Sequence, residues 1–129
     1  MKQMLNVVVV AVSCWLLAGC GGGGGEGGSS PGDVVQKYGK ALCTGDTKAA
    51  LNCIDPAKRK GAEEIIQMGA AIASGFVSAE GGLDSVTILR EEVQGDRALV
   101  GYQTKTKRAG ERSDTIHTEK INGTWYVAP

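Results

Sequence analysis

The chain has 129 residues, with 14 Lys and Arg against 14 Asp and Glu, 20 Gly and a single Phe. So even a charge balance argues against the basic footprint of a nucleic-acid binder and against a trap for acidic or basic ligands. The length allows one domain, and its core has to come mostly from Val, Ile, Leu and Ala.

Lys2 supplies one positive charge, and the run "MLNVVVVAVSCWLLA" follows it. A charged start and a short apolar stretch are the parts of an export signal. The stretch falls short of the roughly 20 residues that a permanent membrane helix needs, and Asn6 interrupts it. "Leu17-Ala18-Gly19-Cys20" then resembles the lipobox of bacterial lipoproteins. The resemblance implies cleavage between Gly19 and Cys20 and acylation of Cys20, which becomes the first residue of the mature protein. Cys14 would be discarded with the leader. Gly21 stands where an Asp would resemble an inner-membrane retention signal. The expected address is therefore the cell envelope, on the periplasmic face of the outer membrane if the cell has one.

Residues 21–32, "GGGGGEGGSSPG", carry no apolar side chain before the first helix. A Gly/Ser coil of that length spans on the order of 20 Å, and residues 20–32 are expected to act as a tether. The glycine run is no phosphate loop, since no strand precedes it and no Lys-Ser/Thr follows.

From residue 33 the texture becomes that of a folded domain. Ser30, Pro31 and Asp33 read as N-cap, first helical position and capping acid. Val34, Val35, Tyr38, Ala41 and Leu42 form one apolar stripe at helical spacing. Gly45 ends this helix, and Asp46 caps a second, short one over 47–54. Asp55-Pro56 starts a third helix over about 56–77, where Ile65, Gly69, Ile72 and Phe76 make the expected buried stripe. Beyond Gly81 come four β-branched runs, 83–93, 96–108, 111–121 and 124–128. Gln94-Gly95, Ala109-Gly110 and Asn122-Gly123 separate them, and Asn-Gly is a strong hairpin signal. In the second run Ala98, Val100, Tyr102 and Thr104 point to one side and Arg97, Leu99, Gln103 and Lys105 to the other. In the last, Trp125 and Val127 share a face opposite Tyr126. The fold class is α+β: three helices packed on a curved four-stranded antiparallel meander.

"SPGDVVQKYGKALCTGDTKAAL", "GDRALVGYQTK" and "INGTWYVAP" together resemble the small nuclear-transport-factor-2-like lipoprotein domains, over about residues 30–128. The resemblance implies a cone, a curved sheet wrapped around helices, with a pocket at its wide end. Tyr38, Tyr102 and Trp125 are the aromatic residues expected to line that pocket, and Asp114 is the nearest candidate carboxylate.

Cys43 and Cys53 remain as an even pair in an oxidising compartment. A hairpin turning at Gly45-Asp46 could bring them to disulfide distance. The alternative is two free thiols acting as small hydrophobes. Two thiols and one distant histidine do not complete a metal site, so no metal and no cofactor is expected. His117, the only histidine, reads as an exposed strand residue beside Thr115 and Glu119. The basic run Lys105 to Arg108, continuing toward Arg112, reads as a solvated hairpin.

The leading functional expectation is a lipid-anchored envelope protein whose domain binds a small ligand or an envelope partner without catalysis. One alternative is a small isomerase- or hydrolase-type enzyme built on a Tyr–Asp pair in the cone. Another is a homodimeric interaction module docking through the sheet. The expected partners are thus the membrane through the N-terminal lipid, a small ligand or envelope protein, and a second copy, but no nucleic acid.

Overall fold

In the computed structural model, which describes residues 26–129, Ser30 opens helix α1 (Pro31–Thr44) from an extended backbone. Its Oγ accepts a hydrogen bond from Asp33 N at 3.0 Å, and Gly45, at φ 77°, closes the helix. Only a residue without a Cβ takes that conformation at no steric cost. Asp46 caps α2 (Thr47–Leu51) by accepting from Ala49 N at 3.1 Å. Asp55 does the same for a 3₁₀ turn, Pro56–Lys58, that runs into α3 (Arg59–Ala79). The expected leader, Cys14 and the expected lipidation site Cys20 lie outside the described residues.

Strands β1 (Leu83–Gln94), β2 (Arg97–Thr106), β3 (Gly110–Ile121) and β4 (Thr124–Val127) form one antiparallel meander in sequence order. Asn122 and Gly123 both have positive φ, 53° and 84°, as the tight Asn-Gly hairpin requires. The expected alternation in β2 holds. Ala98 and Val100 are buried and Tyr102 packs beside them, while Arg97 and Lys105 face water. In β1 a register shift between Ile88 and Arg90 leaves Leu89 as the extra, exposed residue of a bulge.

The layering differs from the expectation that three helices cover the sheet. Helix α1 lies on the sheet, and α3 packs on α1 and α2 rather than on the strands. Only one side of α3 is therefore covered, and it is not the expected one. Ile66, Ala70 and Val77 are buried, whereas Ile65, Met68, Ile72 and Phe76 are 71, 64, 55 and 57% exposed. The helix is apolar on two sides, so periodicity alone could not choose between them. Residues 65–79 contain no charge at all.

The last residues of the expected tether, from Glu26 on, belong to the fold. Gly28 and Trp125 exchange backbone hydrogen bonds of 2.9 and 3.0 Å, and Gly27 N donates to Asn52 O at 2.8 Å. These glycines fit where no side chain could: a Cβ on Gly27 would lie 2.7 Å from Trp125 O, and one on Gly28 2.7 Å from Val34 N. The segment covers the free edge of β4 and buries Tyr126 as well, so both faces of β4 are enclosed. Beside it, Val127 N donates to Cys53 O at 2.7 Å. Glu91 accepts from Gly32 N at 2.8 Å, tying one of the free N–H groups at the start of α1 to the sheet.

The core holds two ionisable groups that must stay neutral. Burial, above all, pushes the Cys53 thiol up to about 11 and the Tyr38 phenol up to about 12. Below pH 9 both groups are neutral in the folded and unfolded chain, and this stability is fully present. Above it the unfolded chain ionises first, so stability falls as pH rises towards the folded values. Urea unfolding is expected to weaken steadily between about pH 9 and 11, with Cys53 contributing roughly 2–3 kcal/mol. Cys53→Ala should flatten that part of the profile, and an unchanged slope would count against the burial argument.

Candidate functional site

The wide end of the domain is an open groove of about 280 Å³ between α1, α3 and the far ends of β2 and β3. Each element contributes what its periodicity dictates. Gly39, Leu42 and Cys43 come from successive turns of α1, Ala73, Phe76 and Val77 from the end of α3, and Tyr102, Thr104 and Thr106 from alternate positions of β2. Arg112, Ser113 and Asp114 complete the rim from β3. The floor is thus apolar and the rim polar, the usual division of labour in a small-molecule site.

The rim is partly wired in place. Arg112 and Glu80 form an ion pair of 2.6 Å, and Glu80 also accepts from Thr106 Oγ1 at 3.0 Å. The Arg112 guanidinium stands 5.9 Å from the centroid of the Phe76 ring, within cation–π range. Asp114 sits directly across from Tyr102 in the β2–β3 register, and its Oδ1 accepts from Thr115 N at 2.8 Å. Burial first, then the neighbouring Asp114 carboxylate and the Cys43 thiol, hold the Tyr102 phenol above its ordinary range. At neutral pH Tyr102 is therefore a hydrogen-bond donor. Cys43 is likewise pushed up by burial.

Of the three aromatic residues expected in the pocket, only Tyr102 lines this groove. Tyr38 is buried behind it in the core. Trp125 lies in the core beside the Gly28 segment, with Lys120 Nζ 5.8 Å from its ring centroid. The sequence reading missed Arg112, Glu80 and Phe76 as groove residues. The alternation of β3 carries some signal for Arg112, whereas helical periodicity puts Phe76 in the stripe expected to be buried.

The expected disulfide is not formed: Cys43 and Cys53 are both free. They sit on different sides of α1. Cys43 lines the groove, whereas Cys53 borders a separate depression with Lys37, Lys40 and Asn52 and donates to Ala49 O at 3.5 Å. The hairpin turn brings the two helices together without turning these two side chains towards each other. His117 is exposed on β3, paired with Leu99. The basic run is engaged locally, with Lys105 3.9 Å from Asp84 and Arg108 donating to Ala79 O at 3.4 Å. Among the described residues no group of His, Cys, Asp and Glu could hold a metal ion, and no helix is long and apolar enough to cross a membrane.

A family described as "Domain of unknown function (DUF4878)" matches residues 20–128. Among solved structures, a candidate NTF2-like transpeptidase from Campylobacter jejuni is similar at a TM-score of 0.67 and 20% identity, covering 73% of this chain and 93% of that one. A SEC-C motif containing protein from Rhodopseudomonas palustris is similar at 0.52 and 19% identity, over 78% of this chain and 77% of its own. At such identities the likeness concerns the fold, which is NTF2-like. No functionally curated protein matches the sequence.

Proposed function

The chain belongs to the DUF4878 family, and we propose that it is a lipid-anchored envelope protein that holds a small amphipathic ligand in its groove without catalysis. The observation that carries the binding reading is the groove itself, an apolar floor under a rim of Tyr102, Thr104, Ser113 and Arg112. The two carboxylates there are already engaged, Glu80 by Arg112 and Thr106, and Asp114 by Thr115 N. Tyr102 offers a proton-bearing phenol to an acceptor on the ligand. The anchoring half rests on the resemblance of Leu17 to Cys20 to a lipobox.

The test is native mass spectrometry of the full chain extracted from its own envelope. The wild type is expected to carry a small molecule that Thr104→Trp, which fills the groove, does not retain. Tyr102→Phe removes one donor and should lower the retained fraction roughly 3- to 10-fold, the range of a single hydrogen bond. Equal, empty spectra from all three proteins would overturn the binding reading.

A second reading has one specific observation behind it, the cross-strand pair of Tyr102 and Asp114. Such a pair could move a proton in an isomerase- or hydrolase-type enzyme. The transpeptidase chemistry in the Campylobacter protein's name would ask for an activated nucleophile. Cys43, the thiol in the groove, is shifted the opposite way, towards its protonated form. Binding is therefore the better-supported reading.

A further inference from the structure

Among the described residues, the outer face of α3 has no partner. Ile65, Met68, Ile72 and Phe76 follow one another along it, all more than half exposed, and no charged residue occurs from 65 to 79. A helix apolar on every side is ordinarily covered on every side. The inner face is covered by α1 and α2, and the outer face is not.

Three glycines in the same helix point to what approaches it. A Cβ on Gly61, Gly69 or Gly75 would meet nothing within 4 Å, so the fold of one copy does not need glycine at any of them. Glycine weakens a helix relative to alanine. It does let another backbone come close, as at small-residue helix crossings. We infer that the face Ile65–Met68–Ile72–Phe76 of α3 is a homodimer interface, two copies of α3 packing antiparallel about a two-fold axis level with Ala70.

This arrangement complements itself in shape and charge. Residue numbers facing each other across the axis sum to about 140, so Ile65 of one copy meets the gap at Gly75 of the other. Met68 meets Ile72, and Gly61 meets Ala79. Glu64, exposed near the start of the helix, comes to the level of Phe76, beside which the partner's Arg112 stands. A two-fold operation makes each of these contacts twice, which is how an isologous interface closes. The four large side chains leave roughly 500 Å² open per copy, already a large patch for a monomer. Pairing two copies would bury on the order of 1,000 Å², the lower bound of a specific interface. A lipid surface is the competing cover, but interfacial helices flank their apolar stripe with Lys and Arg. Residues 65–79 carry none, and of the basic groups beside them Arg112 is paired with Glu80 and Arg108 is bonded to Ala79 O. The face adjoins the groove at Phe76 and Arg112, but the inference does not depend on the groove holding a ligand.

Native mass spectrometry and sedimentation of the full chain in detergent, at roughly 100 µM, test it. The wild type is expected at twice the chain mass. Gly75→Leu fills a position where the single copy has open space, so it should leave thermal unfolding unharmed. It should nevertheless reduce the dimer fraction roughly tenfold or more. Met68→Asp with Ile72→Asp should do the same. In a Cys43→Ala background, Ile65→Cys with Gly75→Cys should cross-link copies under mild oxidation, while Ile65→Cys alone should not. A monomeric wild type would overturn the inference. Cross-linking by Ile65→Cys alone would overturn the antiparallel register. A monomer that binds phosphatidylethanolamine/phosphatidylglycerol vesicles, and loses that binding in Met68→Asp/Ile72→Asp, would assign the face to the bilayer instead.

Discussion

Trp125→Ala is expected to lower the unfolding free energy by about 3–5 kcal/mol. Trp125 is the largest side chain in the core cluster, and it joins three parts of the structure. Its backbone exchanges hydrogen bonds with Gly28, its strand pairs with β3 through Lys120, and its ring lies among residues of α1, α2 and β2. Removing the ring forfeits the transfer of a large apolar surface and leaves a cavity that β4, only four residues long, is poorly placed to collapse into. A domain of about this size has in total perhaps 5–15 kcal/mol of stability. Urea unfolding should therefore shift to a much lower midpoint, with Trp125→Phe recovering most of the loss. The Lys120 contact with the ring is exposed and contributes about 1 kcal/mol or less. A loss in Trp125→Ala no larger than that would show that β4 and the Gly28 segment are not held by the ring.

On the proposed lipoprotein reading, Cys20→Ser is expected to abolish lipid attachment. Each buried acyl CH₂ contributes about 0.8 kcal/mol, and one chain alone binds a bilayer only marginally, so the second and third chains decide residence. All of them depend on one thiol, since a serine hydroxyl does not accept the diacylglyceryl group. The variant should take up no labelled palmitate, and its intact mass should retain residues 1–19. The wild type should begin at Cys20 and carry the added lipid mass. A wild-type protein with an unmodified Cys20 would end the lipoprotein reading, while leaving the groove and the α3 face untouched.

The tether gains a structural role from the same comparison. Gly28 is bonded to β4 and Glu26 lies 3.2 Å from Arg59. Residues 26–32, which composition alone assigns to a tether, are therefore part of the fold.

The reach of the sequence can be seen residue by residue. Ser30, Gly45, Asp46 and Asp55 each mark a helix boundary, because a cap acts through local hydrogen bonds that need no distant partner. Asn122-Gly123 sets the last hairpin for the same reason, through backbone angles that few residues tolerate. The strand faces of β2 follow from alternation against one packed layer. What local chemistry could not decide was which of two apolar sides of α3 turns inward. Ile66, Ala70 and Val77 win because α3 sits on α1 and α2, where small residues allow close approach, and not on the sheet. That choice leaves Phe76 at the groove and Ile65 to Ile72 in the open. Likewise Cys43 and Cys53 lie ten positions apart, yet the helical turn between them sends one thiol to the groove and the other to the core. Sequence by itself determined the elements and their caps, which depend on neighbours within a few residues. Only the tertiary structure decided the groove, the state of the thiols and the exposed face of α3, because each depends on how the packed layers are stacked.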